Sequence, residues 1–92
     1  MINYPISIRP FGVHAVLVEW PNKVDEAILE DILQFSAYLK SECLDVKDWE
    51  LVSAYKSLTL IQRNRRIEFD VFKVQLGNWY KERKESAKSD KY

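Results

Sequence analysis

Apolar and polar positions alternate near the start of the chain. Ile6 and Ile8 are interleaved with Ser7 and Arg9, the period of two expected of a short strand. Pro5 precedes this strand and Pro10 closes it, because proline cannot donate to a central ladder. Phe11-Gly12 offers a turn, and from Val13 to Trp20 nearly every residue is apolar or β-branched. In that second strand Val13, Ala15, Leu17 and Glu19 share one face, and His14, Val16, Val18 and Trp20 share the other. The two strands read as a hairpin.

Pro21-Asn22-Lys23 breaks the pattern, and the period changes to that of a helix. Val24, Ile28, Ile32, Phe35 and Leu39 form an apolar stripe, widened by Leu29 and Leu33. Asn22 is the expected N-cap, and Asp25 and Glu26 suit the positive end of the helix dipole. The helix is expected to end near Lys40 or Ser41. Trp49 to Ala54 then reads as a third strand and Ser57 to Gln62 as a fourth, with Tyr55-Lys56 at the turn. After the polar break Arg63-Asn64-Arg65-Arg66, a second helix carries Phe69, Phe72, Leu76, Trp79 and Tyr80 on one stripe. Gly77 within it marks either a close helix contact or a weak point.

The predicted architecture is α+β. It is a two-layer β-β-α-β-β-α sandwich, with a four-stranded, mostly antiparallel sheet and two helices on one face. Residues 1–80 form the single domain, and 81–92 are expected to be a polar, frayed tail. Both faces of such a sheet receive apolar side chains, and a sheet greasy on both sides tends to be covered by a partner.

Two segments have matching grammar, each a strand beside a tight turn: Gly12-Val13-His14-Ala15-Val16-Leu17-Val18-Glu19-Trp20 and Val52-Ser53-Ala54-Tyr55-Lys56-Ser57-Leu58. With the order of elements, they resemble the N-terminal domain of the allophanate hydrolase subunit 1 family, which includes the 5-oxoprolinase subunit PxpB and the sporulation kinase inhibitor KipI. Val13 and Ser53 depart from the aspartate and proline usual there. The resemblance implies a bacterial protein that helps to assemble an ATP-dependent amide or lactam hydrolase with a subunit 2 (PxpC-like) partner. The alternative it implies is a KipI-like inhibitor that binds a sensor histidine kinase. It also implies a cyclophilin-like domain following the tail. That domain is missing here, so the chain is either a naturally short form or an excised N-terminal domain.

Composition narrows the chemistry. Fourteen basic and fourteen acidic side chains cancel, so there is no long-range pull toward nucleic acid or an anionic membrane. The single cysteine, Cys43, cannot close an internal disulfide, which favours a cytoplasmic location. His14 is the only histidine, too few for a metal site. Ser57 and Lys56, as strand neighbours, point to opposite faces, so the lysine cannot readily activate the serine. Arg63, Arg65 and Arg66 could meet a phosphate or an acidic partner, or be a solvated loop. No glycine-rich phosphate loop is present. The chain alone is expected to be non-catalytic and cofactor-free, with ATP used by the wider complex. Its partner-binding candidates are the two turns: Phe11, Gly12 and His14 at the first, and Tyr55, Lys56 and Ser57 at the second.

Overall fold

A computed structural model describes residues 4–22 and 25–89, with side chains described through residue 83. The elements run β1 (Ser7–Pro10), β2 (Ala15–Glu19), α1 (Glu26–Tyr38), β3 (Trp49–Ala54), β4 (Ser57–Gln62) and α2 (Phe69–Ser89). The sheet order is β1-β2-β4-β3, and every neighbouring pair is antiparallel. This is the expected α+β architecture.

Register explains how the faces are divided. Ile8 lies opposite Val18, Val18 opposite Leu58, and Val16 opposite Leu60, which in turn faces Leu51. These residues share the face that meets the helices. There they join Ile28, Ile32, Phe35 and Leu39 from the first helical segment and Leu76 and Tyr80 from α2. Each fully covered large side chain contributes about 1.5–3 kcal/mol. A slip of one residue would send the whole set to the other side, so the core enforces the register.

The outer face is mixed. Leu17 and Ile61 are half-buried and Val52 is exposed, but they sit among Thr59, Ser57 and Glu50. A diagonal ion pair, Arg9 to Glu19 at 2.5 Å, crosses its β1 edge. Pro10 ends an edge strand, where its missing N–H leaves no central ladder bond unmade.

The helices differ from expectation at their ends. Asp25, not Asn22, caps α1: its backbone is extended and its carboxylate accepts from the Ala27 N–H at 3.0 Å. The Asn22 amide oxygen instead accepts from the Lys56 ammonium at 2.5 Å. Val24, the first position of the predicted stripe, lies outside the described residues. α1 runs into a single π-helical turn, Leu39–Cys43, closed by the Leu44 N–H donating to the Leu39 carbonyl at 2.7 Å. The stretch expected to be a tail from position 81 continues α2 to Ser89, and Arg83 within it is buried. Residues 90–92 lie outside the described residues. No helix among the described residues is long and apolar enough to cross a membrane.

A polar cluster sits inside the core. Asp31 of α1 accepts from Trp20 Nε1 at 2.9 Å and from the Tyr80 hydroxyl. It also pairs with Arg83 at 2.8 Å. Arg83 donates to Gln34 Oε1 at 3.1 Å and lies 4.3 Å from the Tyr80 ring centroid. The Tyr80 oxygen in turn accepts from the Tyr4 N–H at 3.2 Å. The chain entry, the residue that follows β2 and both helices are thus tied to one carboxylate.

Candidate functional site

The two predicted turns lie at opposite ends of the sheet. The β1–β2 turn, with Phe11, Gly12 and His14, sits where β4 ends. The β3–β4 turn, with Tyr55 and Lys56, sits where β2 ends and β4 begins at Ser57. Strands of this length put about 17–20 Å between them. The six candidate residues therefore form two separate surfaces.

At the second turn Lys56 takes a left-handed conformation, φ 69°. Its carbonyl accepts from the Trp20 N–H at 2.8 Å, and its ammonium lies 4.8 Å from the Tyr55 ring centroid. Tyr55, Lys56 and Ser57 border a crevice of about 520 Å³ shared with Glu19, Trp20 and Asn22. The lysine is committed to structural contacts there, and among the described residues no nucleophile–base pair is assembled around Ser57.

At the first turn Gly12 has φ 91°, a conformation that glycine adopts without the Cβ penalty. Backbone bonds zip this turn to the end of β4 and to the segment after it. The Gln62 N–H donates to the His14 carbonyl at 2.7 Å, and the Ile67 N–H donates to the Val13 carbonyl at 2.9 Å. His14 Nδ1 lies 2.9 Å from the Arg65 carbonyl, so this nitrogen carries the proton. The imidazole holds the arginine loop in place.

That anchored loop borders a second groove, of about 420 Å³. Its half-buried lining is Trp49, Ile67 and Phe72, over the buried Gln62. Trp49 and Phe72 stack with centroids 4.9 Å apart and planes 14° apart. Exposed Arg65, Arg66, Glu68 and Val71 form the rim. Arg63, next in the run, lies 3.8 Å from Glu50. Neither Arg65 nor Arg66 has an ion-pair partner among the described residues. The arginine run was visible in the sequence as a basic cluster. Its apolar neighbour was not, because it draws on β3, β4 and the start of α2.

Cys43 is half-buried beside Tyr38, and burial pushes its thiol pKa up despite the Tyr38 hydrogen bond. No cluster of three metal-ligating side chains occurs among the described residues. The fold and site together define an α+β two-layer sandwich with an arginine-edged apolar groove at one end of the sheet.

The chain matches the family described as "Carboxyltransferase domain, subdomain C and D" over residues 6–92, and it belongs to that family. No curated protein and no solved structure matches it. The match overturns the assignment to the allophanate hydrolase subunit 1 family. The hydrolase-subunit role, with its 5-oxoprolinase PxpB keyword, and the KipI-like kinase-inhibitor role fall with it. The physical reason lies in the motifs themselves. The Gly12–Trp20 segment spells a left-handed turn and a buried strand, and Val52–Leu58 spells a hairpin around Lys56. Such residues specify backbone geometry, which does not distinguish one chemistry from another.

Proposed function

We propose that this chain is an architectural and ligand-binding subdomain of a carboxyltransferase, contributing to carboxyl transfer from a donor to an acceptor without housing the complete reaction centre. The observation that carries the reading is the family match across residues 6–92. Two features of the geometry support it. The groove beside the arginine loop has the size and apolar lining of a small-molecule site. The half-apolar outer sheet face offers a surface to a protein partner, read here as the remainder of the carboxyltransferase. In this reading the first turn acts by positioning the arginine loop, and the second turn belongs to the partner-facing end. The chain carries no cofactor of its own and works in the cytoplasm, in keeping with its unpaired Cys43.

The test is deletion of the chain from the cell that makes it, followed by transfer of [14C]carboxyl label in extracts. Transfer should fall on deletion and return when the intact chain is supplied. Unchanged transfer in the deletion strain would refute the assignment.

A further inference from the structure

The groove at the start of α2 has a chemical bias that the family description does not assign. One wall is aromatic: Trp49 and Phe72, stacked 4.9 Å apart, are both half-buried. The stacked pair gives the groove an apolar, polarisable wall suited to an apolar ligand body. The rim is cationic: Arg65 and Arg66 are exposed at its mouth and lack an ion-pair partner among the described residues. Glu68, also on the rim, offsets one of the two charges, so the lining keeps a net positive charge.

The loop bearing these arginines is held at several points. His14 bonds the Arg65 carbonyl, Ile67 bonds Val13, the Arg63 N–H donates to the Asp48 carbonyl at 2.8 Å, and the Asn64 N–H donates to Gln62 Oε1 at 3.0 Å. All of these bonds use the loop backbone and leave the Arg65 and Arg66 side chains out. The groove is therefore preorganised, with guanidinium groups left over for a ligand. Preorganisation lowers the ordering cost of binding.

We propose that this groove binds a small organic carboxylate, with the apolar body against Trp49 and Phe72 and the carboxylate on the guanidinium groups of Arg65 and Arg66. Guanidinium forks match a carboxylate in bidentate geometry, and charge-assisted bonds of this kind are about twice as strong as neutral ones. The choice of a carboxylate over another anion rests on the carboxyltransferase reading.

The experiment is calorimetric titration of the intact chain with 2-naphthoate, its neutral amide 2-naphthamide, and 2-naphthyl phosphate. Naphthoate should bind about tenfold more tightly than the amide, the scale of a hydrogen bond to a charged group. Arg65→Gln with Arg66→Gln should abolish that preference, and Val71→Glu should weaken naphthoate binding, all with an unchanged circular dichroism spectrum. Equal binding of naphthoate and amide, no binding of either, or retention of the preference in the double variant would overturn the proposal. Tighter binding of the phosphate would also overturn it, by replacing the ligand class. Carboxyl-transfer loss in the deletion strain is read separately, so a failed titration beside that loss condemns the groove and not the family role.

Discussion

Asp31 and Arg83, one from each helix, meet at 2.8 Å with side chains only 6% and 3% exposed. A buried pair is costly to desolvate, and it is more costly still to break by removing one partner. Asp31→Ala takes away the acceptor shared by Trp20, Tyr80 and Arg83. Urea unfolding should register a loss of about 3–5 kcal/mol. Asp31→Leu combined with Arg83→Met should recover only part of it: no unmatched charge is then left inside, but the Trp20 and Tyr80 donors still lose their acceptor. A double variant no better than the single one would count against this account.

The same cluster predicts a response to alkali. Burial first, then donation to Asp31, pushes the Tyr80 phenol up from 10.0 to about 12. The folded state holds that proton more tightly than the unfolded chain does. The contribution is thus fully present below pH 10 and is lost as pH rises from about 10 through about 12. A pH series of urea midpoints should show a steeper alkaline decline for wild type than for Tyr80→Phe. Parallel curves would rule out this origin of the slope.

The two glycines should respond in opposite directions. A Cβ at either position meets nothing within 4 Å, so neither substitution is limited by space. Gly77 lies inside α2, where alanine is favoured by about 0.8–1.0 kcal/mol, and Gly77→Ala should raise the melting temperature. Gly12 has a positive φ, and Gly12→Ala should cost about 1–2 kcal/mol and lower it. Shifts of the same sign would contradict the backbone argument.

Cys43 should be a sluggish nucleophile. Its raised pKa leaves little thiolate near neutrality. Alkylation by iodoacetamide at pH 7 should run slower than that of N-acetylcysteine and accelerate in alkali. A faster rate at pH 7 would point to an activating contact that burial does not supply.

Local patterning identified most of the fold. The β3 and β4 boundaries, the stripe from Ile28 to Leu39 and the stripe from Phe69 to Tyr80 all follow from side-chain period, because each face must be either wet or packed. The cap of α1 was harder to read. Asn22 and Asp25 are both good N-cap residues, and only the approach of Lys56 to Asn22 separates them.

Arg83 sits in a run of charged residues that reads as a polar, frayed tail. It becomes a core residue only because α2 lays it against Asp31, far away in the chain. The arginine run after β4 was legible as a charge cluster, whereas the groove it borders was not.

The order of elements, the two apolar stripes and the division of each strand into faces were determined by the sequence itself, since period and burial are local properties. The joining of Asp31 to Arg83, the separation of the two turns to opposite ends of the sheet, and the seating of Arg65 and Arg66 beside Trp49 and Phe72 were decided by tertiary structure. Each of these is a meeting of distant residues, and only strand register and helix docking determine which distant residues meet.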